Sequence, residues 1–240
     1  MTSGAVRDAD LRERPRVVTV GRPPWWLVTV ALLVGVAVTL DLLGHGFLVR
    51  MDLRVSEIVS SWGLADSPAY PAVWLVTQIG GRVAILIFLA ALVGYLGWRR
   101  RTWRPLLRVL LALALLTLVV YAVKSVTGRT APGYPGSFFF HSDGESFPSG
   151  HVANAVLMWG VARWLVVDYG LPARLQRGCW ALSVIGPVAT AVAMVSLDFH
   201  WVTDAIAGAA VGIVLLGVVH ALDAAVLSRW VGARAGRQSA

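Results

Sequence analysis

The sequence predicts an all-α integral membrane protein, a bundle of six transmembrane helices with one long extracytoplasmic loop between spans three and four. Three observations carry this. Hydrophobic residues make up 57% of the 240 residues and charged residues 14%, whereas a soluble domain carries roughly 25% charge; the mean hydropathy is +0.70. The apolar residues gather into six runs, each able to cross a hydrocarbon core of roughly 30 Å. Within the runs apolar residues are continuous rather than alternating, which favours helices over a transmembrane barrel. The single cysteine, Cys179, excludes an intramolecular disulfide.

Residues 1–22 are polar, with five arginines set against Asp8, Asp10 and Glu13, and read as a disordered cytoplasmic tail. The first span is Trp25–Leu43; its length, and the lack of a small-residue cleavage pattern after it, set it apart from a cleaved signal peptide. Residues 51–62 mix charges with Leu53, Val55, Ile58 and Val59, too short a segment to span, and are placed at the interface. The second span falls within 71–98, the third at 106–123, the fourth at 149–167, the fifth at 179–197 and the sixth at 202–222. The membrane domain is thus 23–228, with a second basic tail at 229–240. No repeat of 20–50 residues is visible, and the eleven tryptophans suit interfacial belts.

The net charge of +8 is a topology signal. Under six spans, 16 of the 21 basic residues fall on one side, and Arg50, Arg54, Arg82, Lys124 and Arg129 on the other. The positive-inside rule then puts both termini in the cytoplasm, with a bacterial plasma membrane as the expected setting. Nucleic-acid binding would need a basic face on a folded aqueous domain, and the chain has none.

Polar groups gather at the outer ends of spans three to six. Lys124 closes the third span and is the only lysine among 20 arginines; as a bare span end it would read as a snorkelling anchor. Pro148-Ser149-Gly150-His151 opens the fourth span. Proline and serine suit a helix start, while glycine and free N–H groups there suit an anion, and histidine can transfer a proton. His200 and Asp204 are four apart and share a helical face. A carboxylate on one ring nitrogen leaves the other free to attack, although Asp204 could equally cap the sixth span. His141, Asp143 and Glu145 fit a loop-shaping or headgroup role; His45, His220 and Asp41 read as packing or interface residues. The histidines lack metal-ligand spacing on one helix, and no cofactor is expected.

Lys124 with Gly128-Arg129, Pro148-Ser149-Gly150-His151, and His200 with Asp204 resemble the type 2 phosphatidic acid phosphatase family, kin to the vanadium haloperoxidases, over roughly residues 70–225. The family pattern is K-x6-R-P, P-S-G-H and S-R-x5-H-x3-D. The resemblance implies a membrane lipid phosphatase acting on a phosphate ester or diphosphate of a lipid at the extracytoplasmic leaflet. Phosphatidic acid, phosphatidylglycerol phosphate, polyprenyl diphosphate and polyprenyl-linked sugar phosphates are its implied substrates. It implies His200 as the phosphohistidine nucleophile, Asp204 as its partner, His151 as general acid, and Lys124, Ser149 and Gly150 at the phosphate. A phosphohistidine mechanism needs no metal.

The chain departs from the pattern at both arginines, which read Ala131 and Met194; in the family those arginines bind phosphate oxygens. Arg129 and Arg82 are the expected replacements. Arg82, in Gly80-Gly81-Arg82, is about 16 residues or roughly 24 Å from Trp98, near the outer edge of the hydrocarbon, where it could equally snorkel to the outer headgroups. The alternatives to a lipid phosphatase are a lipid-linked phosphotransferase of the same fold, and an inactive lipid-binding or transport protein.

Overall fold

The computed structural model describes residues 22–134 and 139–238, with side chains through residue 226. The N-terminal tail up to residue 21 lies outside them, as do the last two residues of the C-terminal tail. Every regular element among the described residues is helical: α1 Trp25–Leu43, α2 Phe47–Ser60, a short 3-10 turn Leu64–Asp66, α3 Tyr70–Thr77, α4 Arg82–Arg100, α5 Arg104–Thr127, α6 Gly150–Asp168, α7 Ala173–Ser196 and α8 Val202–Gln238. Six of them, α1 and α4 to α8, are long and apolar enough to cross a membrane.

The stretch 71–98, expected to contain the second span, holds parts of two helices. Only α4 spans; α3 is a separate helix of eight residues, and the chain breaks at Gly80-Gly81 between them. Gly81 is extended, with ψ 138°, and is the N-cap of α4, so Arg82 is the first helical residue.

The bundle is built around α6, which is buried from Val152 to Val166 except at Val156 and Arg163, as expected of a largely apolar central helix. Packing α8 against α6 relies on small residues. A Cβ at Gly208 would sit 2.5 Å from the Ser149 carbonyl oxygen, and one at Gly212 2.6 Å from Val156 Cβ. This Gly-xxx-Gly spacing lets the two backbones approach closely. As a result the Ser149 N–H donates to the Asp204 carbonyl at 2.9 Å, tying the starts of α6 and α8 together.

The opposite end is held by Arg108, which is buried. It pairs with Asp223 and Asp168 and lies over the Trp164 ring, whose other contact is the stacked His220. Exposed Trp25, Trp26, Trp98 and Trp103 ring that end, as an interfacial belt would. The ends of α5 and α7 and the starts of α4, α6 and α8 meet at the other end, with α2 beside them.

Candidate active site

Ser149 caps α6, its hydroxyl oxygen accepting from Val152 N–H at 3.5 Å, so the N–H groups of the first turn point outward beside His151. Across from them His200 ends the turn before α8. Its Nδ1 lies 3.3 Å from Asp204 Oδ2 and 3.1 Å from the Ser146 hydroxyl. Ser146 donates to the same carboxylate oxygen at 2.5 Å, and Trp201 N–H donates to it at 3.0 Å. Asp204 therefore both caps α8 and holds His200; the two readings of this carboxylate are one arrangement. Asp204 is fully buried, and all the hydrogen-bond partners of His200 among the described residues are on the Nδ1 side. The arrangement can present Nε2 as a lone pair to an electrophile.

A cavity of about 330 Å³ is lined by Arg82, Lys124, Glu145, Gly150, His151 and Asn154, together with Tyr121 and its apolar neighbours. Lys124 Nζ donates to the Glu145 carbonyl, which fixes the ammonium at the cavity wall. His151 is within Coulombic reach of His200, Lys124 and Arg82. Arg82 is brought there by the helix break. Asn154 donates to the Gly80 carbonyl at 2.8 Å and the Trp159 indole to the Ile79 carbonyl at 2.9 Å. Gly80 is pressed so close to α6 that a Cβ would lie 2.5 Å from the His151 carbonyl oxygen.

Arg129 takes a different place from the one expected. It is 2% exposed and does not line the cavity. Its Nη1 donates to Asp204 Oδ1 at 2.6 Å and to the Thr203 hydroxyl at 2.7 Å, and its Nη2 donates to Asp52 Oδ2 at 2.7 Å. Phe139 and Trp201 lie against the guanidinium. A cation flanked by two buried carboxylates belongs to the support of the site, so the cavity's own cations are Lys124 and Arg82. Met194 is buried, and Ala131 supplies no charge.

Asp52, Ser146, Thr203 and Asn154 escaped the sequence reading. Asp52 had a signal: it is seven residues from Val59, and these are the two buried residues of α2, so an acid occupies the inward stripe of an amphipathic helix. His141 shapes the loop, its Nδ1 accepting from Asp143 N–H at 3.1 Å. Among the described residues no three His, Cys, Asp or Glu side chains gather as a metal set.

A membrane helix bundle with a histidine–carboxylate pair beside a cationic cavity defines a class, and comparison with known proteins agrees with it. The chain belongs to the PAP2 superfamily, whose model matches residues 105–226. Phosphatidylglycerophosphatase B of Bacillus subtilis (strain 168) is 26% identical over 150 residues, 62% of this chain and 72% of that protein. The crystal structure of the first transmembrane PAP2 type phosphatidylglycerolphosphate phosphatase from Bacillus subtilis superposes with a TM-score of 0.64 at 23% identity. The match covers 83% of this chain and 95% of that one. The protein is thus a six-span membrane protein of the PAP2 superfamily.

Proposed function

We propose that this protein hydrolyses a phosphate ester or diphosphate of a lipid at the extracytoplasmic leaflet through a phosphohistidine on His200. The observation that carries the reading is the His200–Asp204 pair, with Nδ1 held by a buried carboxylate at 3.3 Å beside a cavity bearing Lys124, Arg82 and His151. A lipid phosphate entering from the bilayer places its oxygens on the Lys124 ammonium, the Arg82 guanidinium and the N–H groups opening α6. His200 Nε2 attacks phosphorus in line; the N–P bond forms as the P–O bond to the leaving group breaks. His151 gives its proton to the leaving oxygen. Water then attacks the phosphohistidine, His151 takes the water's proton, and inorganic phosphate leaves as the N–P bond breaks. Asp204 holds the tautomer and stabilises the imidazolium as it forms.

The extracytoplasmic placement rests on charge. The cavity shares its end of the bundle with Arg50, Arg54, Arg82, Lys124 and Arg129, while the described part of the larger basic set is at the other end. The relative named phosphatidylglycerophosphatase B supports phosphatidylglycerol phosphate as one substrate. Phosphatidic acid and polyprenyl diphosphates share its chemistry, a phosphoryl group on a membrane-held lipid. Two cavity cations in place of a lysine and two arginines favour a phosphorus of lower charge, which keeps the phosphotransferase as the second reading.

Phosphate release by the purified protein in detergent, across a panel of these lipids with and without an alcohol acceptor, tests the proposal. Release in water supports hydrolysis. Loss of the lipid phosphoryl group only with the acceptor, recovered as the acceptor's phosphate ester and not as inorganic phosphate, replaces it by transfer, and lipid binding without turnover of any panel member rejects both.

A further inference from the structure

Helix α2 has no task in the mechanism above, yet it grips the turn that carries His200 from two sides. Asp52, 2% exposed, accepts from Thr203 N–H at 3.1 Å, from Arg129 Nη2 at 2.7 Å and from the Thr203 hydroxyl. Arg129 passes this on to Asp204 Oδ1 at 2.6 Å, and the other oxygen of Asp204 holds His200. Further along α2, Ser56 donates to Asp198 at 3.0 Å, and Ser60 donates to the same carboxylate. Asp198 has φ +58°, a left-handed conformation that a side-chain-bearing residue needs outside support to keep. Positions two before and three after His200 are thus both fastened to one helix.

We propose that α2 is a clamp on the catalytic turn, and that Asp52 is a positioning residue acting on His200 through Arg129 and Asp204. The proposal rests on the reading of His200 as nucleophile. Two physical effects support it. The first is geometric: Asp204 can aim the imidazole only while its own carboxylate is held, and Arg129, which holds one of its oxygens, is anchored in turn by Asp52. The second is electrostatic. Asp52 balances the charge of Arg129, which leaves the negative charge of Asp204 available to the imidazolium that forms on His200. With Asp52 neutral, Arg129 would face Asp204 alone and draw on that charge. Asp52 and Arg129 are both buried with their charged ends turned to each other, to Thr203 and to Asp204, which leaves neither open to substrate.

The test uses the full chain in detergent and the panel lipid it hydrolyses fastest. Asp52→Asn keeps size and one acceptor and removes the charge; kcat should fall about 10- to 100-fold, the scale of a small misplacement at a reacting group, with KM changed less than about twofold. Asp52→Leu with Arg129→Met removes the Asp52–Arg129 pair together, and Ser146, Trp201 N–H and His200 still hold the Asp204 carboxylate that Arg129 leaves behind. It should give folded protein, by size-exclusion profile and thermal melt, with kcat lowered to a similar extent. Wild-type kcat in either folded variant overturns the proposal, as does a loss expressed mainly in KM. His200→Ala is run beside them: if it loses turnover while Asp52→Asn keeps it, the clamp alone fails, and if His200→Ala keeps turnover, the nucleophile reading fails as well.

Discussion

Arg82 and Lys124 are the cations lining the cavity, so each phosphate contact proposed for them would weigh more than it would beside two further arginines. Arg82→Ala should lower kcat/KM about 10- to 100-fold, the effect of one lost charged hydrogen bond; steady-state kinetics with the preferred lipid check it. Glu145 acts in the other direction. It is exposed at the cavity wall, next to the group that is meant to receive an anion. Glu145→Gln should improve kcat/KM for a dianionic monoester by about 2- to 5-fold, the scale of an exposed charge pair, with less effect on a diester. Equal gains for both would mean that Glu145 does not read charge on phosphorus. Lys124, Ser149, His151, His200 and Asp204, which the sequence offers by side chain and spacing, all stand at the same end of the bundle. Arg129 was misread because proximity in sequence to Lys124 says nothing about the two carboxylates, from α2 and α8, that take up its guanidinium.

At the scale of elements, the site depends on junctions more than on spans. The α3–α4 break exists because Gly80 can lie against the backbone of α6, where Asn154 satisfies its carbonyl. Asn154→Leu leaves that buried acceptor without its donor and loosens the start of α4. It should lower the thermal midpoint in detergent and raise KM about 5-fold, the equivalent of roughly 1 kcal/mol, by freeing Arg82. An unchanged KM together with an unchanged melt would show that the break holds Arg82 without Asn154. The spans themselves were legible because lipid demands long apolar runs, and α1 has the residues expected of it. The break was not, because α3 and α4 are both apolar; what separates them is the packing of α3 on α7 and the hold of α6 on residues 79 and 80. Nor was the burial of Arg108, whose partners Asp168 and Asp223 lie 60 and 115 residues away along the chain.

For the whole molecule, charge distribution and site geometry make one joint statement: the cavity opens on the side away from most of the arginines. Single cysteines at Ser3, Ser142 and Ser239 in a Cys179→Ala background test it. An impermeant thiol reagent added to whole cells should label position 142, which is exposed beside the site, and neither tail; labelling of a tail would turn the protein over. The central claim, that this bundle is a lipid phosphatase working through His200, is tested most directly by trapping the covalent intermediate. Rapid acid-free quenching after mixing with a lipid substrate carrying radiolabelled phosphate should leave label on the protein that is acid-labile and base-stable. Peptide mapping should place it on His200, and it should be absent from His200→Ala and prolonged in lifetime in His151→Ala. Sustained phosphate release by His200→Ala, or label mapped to any other residue, would contradict the account.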